Sequence, residues 1–242
     1  TVTASNGSTY SFGKLLLATG TRPRQIAIPG GDLDGICYFR TLDDYRRMQG
    51  ESQDKKSALV IGGGFIGSEL AAALNVNLEV TMVFPSATLC KRVFPESLGL
   101  EVQRHFQDRG IRVISSDTPS SISRKGSTFR TETVSGKSLE SDLVIIGIGV
   151  EPRIELAMEA GLEVGNGIVV NEFLESSHPD IYAAGDVVNF YNPSLGRRIR
   201  VEHEEHANQS GHTAGQAMAG KSVHYDLLPM AYSDLFDLGY ES

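Results

Sequence analysis

At ~150 residues per domain, a chain of 242 residues allows two modest domains or one large one. Its 30 acidic against 22 basic residues leave a formal charge of −8, so no strong basic field draws in phosphate backbones, and nucleic acid is not expected as a main partner. The longest unbroken apolar or glycine run is the eight residues Leu143 to Val150, far below the ~20 that a membrane-spanning helix needs, so no membrane span is expected. Cys37 and Cys90 form no C-x-x-C pair and no His/Cys cluster, which excludes a disulfide framework and a zinc ribbon and fits a reducing compartment. The 26 glycines, without a collagen-like period, indicate tight turns and close backbone approaches, as in a cofactor-binding α/β protein.

The chain opens at Thr1, with Thr9 to Ala18 already reading as a strand and no signal segment before it, so it is expected to be trimmed. Lys14 to Ala18 is an apolar run stopped by Thr19-Gly20, a buried strand ending in a turn. Thr21 to Gly50, rich in Pro and Gly, reads as an irregular connection holding a domain boundary. Ala58 to Ile61 (strand), Phe65 to Asn75 (helix) and Val80 to Phe84 (strand) make a βαβ unit. A helix from about Pro95, with Leu98, Val102 and Phe106 on one face and Gly110 as its C-cap, leads into the strand Ile111 to Ile114. Ser127 to Glu140 carries a hairpin signal at Ser135-Gly136, and Leu143 to Ile148 is another buried strand. Short strands at Ile168 to Val170 and Ile181 to Ala184 precede a helix from Glu202 to Met218, closed by Gly220. Strands alternating with helices predict parallel, doubly wound, Rossmann-like sheets in a three-layer α/β architecture.

The strongest local motif is Gly62-Gly63-Gly64-Phe65-Ile66-Gly67, a G-x-G-x-x-G between a buried strand and a helix. Gly62 permits the turn, Gly64 lets a pyrophosphate approach the backbone, Gly67 lets helix and strand pack closely, and the helix N-terminus offers N–H groups and partial positive charge. A dinucleotide is the expected ligand. Twenty residues after Gly64, where a carboxylate normally takes the adenosine ribose, the sequence reads Phe84-Pro85-Ser86. Ser86 is then the candidate ribose contact and Lys91 or Arg92 the candidate for a 2′-phosphate, so NAD(H) and NADP(H) both remain open. Glu202-His203-Glu204-Glu205-His206 invites a metal reading, but its histidines are three apart where the helical zinc motif needs four, and no metal is expected.

Ala18-Thr19-Gly20-Thr21-Arg22-Pro23-Arg24, the Gly62 turn, Gly147-Ile148-Gly149-Val150-Glu151-Pro152 and Ile181-Tyr182-Ala183-Ala184-Gly185-Asp186 occur in the order found in the FAD-dependent pyridine-nucleotide oxidoreductases, which the chain resembles. Leu195-Gly196-Arg197-Arg198, Val201-Glu202-His203, Gly211, Ala214-Gly215 and Tyr232-Ser233-Asp234-Leu235 with Gly239-Tyr240-Glu241 resemble the apoptosis-inducing factor branch. The resemblance implies interlocked FAD- and NAD(P)-binding domains. Residues 1–36 would close the first FAD segment, 37–150 form the NAD(P) domain, 151–222 return to the FAD domain, and 223–242 begin a third, C-terminal domain. Because such proteins carry an earlier glycine-rich turn for FAD and a longer C-terminal domain, this chain is expected to be a fragment.

By the same resemblance Asp186 accepts from the flavin ribityl chain, and Thr19, Gly20 and Arg24 are further FAD contacts. Gly149 lies against nicotinamide, and Glu202 and His203 lie where nicotinamide and flavin stack. Glu69, Glu204, Tyr232 and Glu241 complete the candidate cofactor-binding set; Glu204 stands where the family often has a second histidine. The helix after His203 would direct its N-terminus at the flavin, with Glu204 and Glu205 also complementing the helix dipole. No residue is assigned as catalytic, because the chemistry lies on the cofactors. The implied activity is hydride transfer from NADH to FAD and on to an unknown electron acceptor. The alternatives are a ferredoxin or rubredoxin reductase component and an NADH-sensing, redox-controlled interaction protein. A homodimer and a cytoplasmic location are expected, or a mitochondrial one if the source is eukaryotic.

Overall fold

The apolar runs in the middle of the chain assemble into one parallel sheet, and the spacing of their side chains dictates what covers each face. The computed structural model describes residues 1–241 and divides into two compact units. The first comprises Pro23–Val150 and Ser233–Tyr240; the second comprises Thr1–Arg22, Glu151–Tyr232 and Glu241.

In the first unit the strands Ile36–Tyr38, Leu143–Ile146, Ser57–Ile61, Glu79–Val83 and Arg112–Ile114 lie side by side in that order, all parallel. Alternate residues divide between the faces. Ala58, Val60, Val80, Met82, Leu143 and Ile145 pack with Leu70, Ala71, Val102 and Phe106 from the helices α2 (Phe65–Leu74) and α3 (Glu96–Asp108). Leu59, Ile61, Val83, Val144 and Ile146 pack instead on Ile122, Phe129 and Leu139 of an antiparallel sheet, Pro119–Lys125, Thr128–Thr133 and Ser138–Ser141. The result is the expected three-layer α/β arrangement, with the central strands buried on both sides as parallel strands require.

Local chemistry explains the departures from the sequence reading. The stretch read as a connection holds the edge strand Ile36–Tyr38 and the helix α1 (Leu42–Ser52). That helix buries only Met48, so its apolar stripe is too thin to register as a period. A capping box starts it: Thr41 Oγ1 accepts from the Asp44 N–H at 3.1 Å, and Asp44 Oδ2 accepts from the Thr41 N–H at 2.8 Å. The expected hairpin has a third strand, the serine-rich Pro119–Lys125, whose inward face is carried by Ile122. The expected strand Thr9 to Ala18 is two pieces, Thr9–Tyr10 and Leu15–Leu17.

In the second unit Leu15–Leu17 pairs in parallel with Ile181–Ala183. Val164–Gly165, Gly167–Val169, Val188–Asn192 and Arg197–Ile199 form a mixed four-stranded sheet. A short helix, Glu155–Glu159, and the long helix Glu204–Met218 flank these strands, burying Ala157 and Ala214 among Leu17, Ala183, Val187, Val188 and Phe190. No helix of the described residues is long and apolar enough to cross a membrane.

Candidate cofactor-binding site

The glycine-rich turn joins Ser57–Ile61 to α2, and its glycines have different neighbours. Gly62 sits at φ +130°, where a Cβ would lie 2.2 Å from the Gly147 carbonyl oxygen; its N–H donates to the Val83 carbonyl at 3.0 Å. A Cβ on Gly67 would lie 2.4 Å from the Gly62 carbonyl oxygen. At Gly63 it would lie 2.6 Å from the Phe84 ring, and the Gly63 carbonyl accepts from the Cys90 N–H at 2.7 Å. Gly64 alone of the four has nothing within 4 Å of a built Cβ; it is exposed and is the N-cap of α2. Three glycines therefore serve the protein's own packing, and the fourth leaves bare backbone open to solvent. The first N–H groups of α2, from Phe65, Ile66 and Gly67, have no partners within the helix by its geometry. The turn thus fits a pyrophosphate: open backbone, N–H donors and the positive end of a helix dipole.

Around this turn, Phe84 is 1% exposed and packed on Gly63, so the position of the usual ribose carboxylate is filled by a ring that locks the turn. Ser86 Oγ donates to the Thr88 carbonyl at 2.8 Å. Lys91 Nζ is paired with Glu96 Oε2 at 2.8 Å, whereas Arg92 is exposed two residues beyond the buried Cys90. Phe65 stacks on Tyr240, centroids 5.6 Å apart at 27°, and Phe94 meets both rings edge-on. Glu69 Oε1 accepts from Ser233 Oγ at 2.6 Å. The segment 233–240 thus braces the start of α2, which sequence reasoning missed. Phe236 adds an edge contact to Phe106, and Asp237 pairs with His105, at 2.9 Å, and with Arg109. Arg24 is exposed, and its N–H donates to the Gly149 carbonyl at 3.0 Å.

In the second unit, Gly185-Asp186 follows the strand Ile181–Ala183 at its carboxyl end, where open α/β sheets bind ligands. Asp186 Oδ2 accepts from Thr21 Oγ1 at 3.2 Å, and the Asp186 carbonyl accepts from Arg200 Nη1 at 3.2 Å. Arg200 also pairs with Glu202 at 2.6 Å and is itself buried, so Glu202 and Asp186 are linked through one guanidinium. Thr19 Oγ1 donates to the Arg153 carbonyl at 2.6 Å, and the Gly20 carbonyl accepts from the Arg153 N–H at 3.0 Å, which fixes the turn preceding Thr21. His203 caps the long helix by position only; its ring stands edge-on to Tyr232, centroids 4.7 Å apart, and Nε2 accepts from the Tyr232 N–H at 3.2 Å. His203 Nδ1 is a buried polar atom without a hydrogen-bond partner among the described residues. Tyr232 Oη donates to Glu204 Oε2 at 3.3 Å, bringing three candidate residues together, while Glu241 is exposed near the end of the terminal hairpin.

Sequence reasoning missed Thr21, Arg200, Ser210 and Tyr225, because each bonds to a group distant in the sequence, which no local pattern reveals. His206, weighed there only as a metal ligand, is 1% exposed and bonded to Tyr225 and Gly185. Burial pushes its pKa below the ordinary imidazole value of 6.5. The native state therefore keeps His206 neutral where the unfolded chain takes up a proton. Its contribution to stability is full above that ordinary value and is lost as pH falls through the depressed one. Urea midpoints of wild type and His206→Gln, compared between about pH 7.5 and 5.5, should show the steeper acid loss in wild type. Equal losses would mean that other groups set the acid limb.

A family model described as pyridine nucleotide-disulphide oxidoreductase matches residues 1–214. The chain is 34% identical to monodehydroascorbate reductase 2 of Arabidopsis thaliana over 100% of its own length and 58% of the relative's. It is 36% identical to the ferredoxin–NAD(+) reductase component of the anthranilate 1,2-dioxygenase system of Burkholderia cepacia, over 98% of this chain and 58% of that one. Among solved structures it is similar to a ferredoxin reductase from Rhodopseudomonas palustris, with TM-score 0.94, 32% identity, and coverage of 98% of this chain and 59% of the other. The chain thus spans less than two thirds of the length of these relatives.

Proposed function

Because the chain belongs to the pyridine nucleotide-disulphide oxidoreductase family, we propose that the protein containing it is an FAD-dependent NAD(P)H oxidoreductase that delivers electrons to a separate acceptor. The observation that carries this reading is the Gly62 to Gly67 turn, in which only Gly64 is left without neighbours, at a helix N-terminus. Once bound, the two cofactors supply the redox chemistry, with hydride passing from the reduced nicotinamide to the flavin. The residues bind and orient. Gly64 and the first turn of α2 hold the pyrophosphate, and Ser86 and Arg92 face the adenosine ribose. Asp186, Thr19 and Gly20 serve the flavin, with Glu202, His203 and Glu204 beside it. Residues 37–150 make the dinucleotide domain, 1–36 with 151–222 the flavin domain, and 223–242 open a third domain of the apoptosis-inducing factor type.

The names of the relatives supply the acceptors to test: a ferredoxin, a rubredoxin and monodehydroascorbate. The likeness to reductases of ferredoxin and rubredoxin favours a small iron–sulfur carrier. Anaerobic NADH added to the full-length protein should bleach its flavin absorbance, and one of these acceptors should restore the colour faster than oxygen does. A flavin-free full-length protein, or flavin that NADH leaves unbleached, rules the reading out.

Coenzyme choice follows from the same turn. With Phe84 in place of a carboxylate, nothing at that position repels a 2′-phosphate, and Lys91 is already committed to Glu96. Arg92 is then the cation nearest in sequence for that phosphate, against an acidic chain. Discrimination within about tenfold in kcat/KM, leaning to NADH, is expected. Arg92→Ala should lower kcat/KM for NADPH and leave that for NADH alone. A preference for NADH of about a hundredfold or more would require another carboxylate at the ribose.

A further inference from the structure

Both backbone polar groups of Gly185 are held by side chains of the long helix. The Gly185 N–H donates to Ser210 Oγ at 2.9 Å, and that hydroxyl donates in turn to the His206 carbonyl at 2.6 Å. The Gly185 carbonyl lies 3.2 Å from His206 Nε2, and His206 Nδ1 lies 2.6 Å from Tyr225 Oη. A carbonyl can only accept, so Nε2 carries the ring proton, Nδ1 is the acceptor, and the tyrosine hydroxyl donates. The three side chains have no freedom to exchange these roles. His206, Ser210 and Tyr225 are all buried, the His206 ring stacks on Phe190 at 5.3 Å and 15°, and the Tyr225 ring meets Phe190 edge-on at 5.0 Å. The Tyr225 N–H is anchored on the Glu172 carbonyl at 2.7 Å.

What they hold are the two peptide planes that meet at Gly185, Ser210 the one before it and His206 the one after it, whose carbonyl also accepts from the Val188 N–H. Gly185 sits at φ +77°, in the left-handed region, and the next residue is Asp186. Rotation of the Gly185–Asp186 peptide plane would redirect the backbone from which the Asp186 carboxylate projects. We propose that Tyr225, His206 and Ser210 are positioning residues for the flavin: they clamp Gly185 through a single histidine tautomer and so set the direction in which Asp186 presents its carboxylate. The clamp rests on Asp186 being the flavin contact. It differs from the Thr21 and Arg200 bonds, which touch Asp186 itself, because it acts one residue earlier and from inside the core.

The test uses the full-length flavoprotein and three substitutions. His206→Leu removes both ring nitrogens, His206→Gln keeps an N–H donor in the place of Nε2, and Tyr225→Phe removes only the hydroxyl that satisfies Nδ1. FAD dissociation constants, measured by reconstituting apoprotein, should rise about tenfold in His206→Leu and Tyr225→Phe and stay within about threefold in His206→Gln, with NAD(H) affinity unchanged in all three. Nitrogen-15 NMR of the histidines, with the His206 signals located by their loss in His206→Gln, should show a protonated Nε2 and a bare Nδ1. A proton on Nδ1 overturns the clamp. So does a fall in melting temperature with FAD affinity unaltered, or a parallel loss of NAD(H) affinity, since either marks a structural role alone. Should His206→Leu fail to fold, Tyr225→Phe and the wild-type tautomer decide. Flavin lost in Asp186→Ala but kept in His206→Leu overturns the clamp and leaves the Asp186 reading standing. Flavin kept in both variants removes that reading, and the clamp with it.

Discussion

Gly62→Ala is expected to destabilise the first unit by about 3 kcal/mol or more, whereas Gly64→Ala keeps the fold and weakens dinucleotide binding by about 1–3 kcal/mol. The two substitutions add the same methyl two residues apart. At Gly62 that methyl would sit 2.2 Å from the Gly147 carbonyl oxygen, a backbone atom just past the end of the neighbouring strand, in a residue held at φ +130°. Neither the contact nor the dihedral can relax without parting the central strand Ser57–Ile61 from its neighbour Leu143–Ile146. At Gly64 the methyl meets nothing of the protein, and the backbone is ordinary, at φ −87°. Its only collision is with a ligand brought against the backbone. Thermal denaturation and NAD(H) calorimetry on the full-length protein separate the cases. A folded Gly64→Ala variant with unchanged affinity would place the dinucleotide elsewhere, and a Gly62→Ala variant as stable as wild type would contradict the packing of the turn.

The same contrast explains which parts of the molecule were legible in the sequence. Four strands of the five-stranded parallel sheet were legible and the edge strand Ile36–Tyr38 was not; the inner strands are buried on both faces and so appear as unbroken apolar runs, Ala58 to Ile61 and Leu143 to Ile146 among them. The helix Leu42–Ser52 was not, because with Met48 as its one buried residue its stability comes from the capping box and from its place beside Ile36–Tyr38. The glycine motif was legible as a motif, but the division of labour within it was not. Which glycine faces a carbonyl, a ring or solvent depends in part on Gly147 and Phe84, residues that directly follow two other strands. Asp186 was reached through resemblance, and its supports, Thr21, Arg200 and the His206 clamp, stand up to 165 positions away in the sequence. Hydrogen bonds to a group distant in the sequence leave no periodic trace. The brace at 233–240 is a similar case: Phe236 and Tyr240 are two aromatic residues in a short polar stretch until Phe106, Phe65 and Phe94 are seen beside them.

In the full-length protein Asp186→Ala is expected to weaken flavin binding by about 1.5–3 kcal/mol, ten- to a hundredfold, the range for losing a hydrogen bond to a charged group. The carboxylate is held at Oδ2 by Thr21 Oγ1 and positioned through its own carbonyl by the buried Arg200, so it is already oriented before any ligand arrives. Orientation before binding lowers the entropy lost on binding, which is why one carboxylate can contribute this much. Asp186→Asn keeps an acceptor oxygen but gives up the charge, and should fall between alanine and wild type. Thr21→Val removes one orienting bond and keeps the shape of the side chain, so its loss should be smaller than that of Asp186→Ala. NAD(H) affinity should stay within about twofold in all three, because the glycine-rich turn belongs to the other compact unit. The order alanine, then asparagine, then valine in flavin dissociation constant is the diagnostic result. Equal flavin content in Asp186→Ala and wild type would reject Asp186 as a flavin ligand, and a larger loss in Thr21→Val than in Asp186→Ala would move the contact from the carboxylate to the hydroxyl.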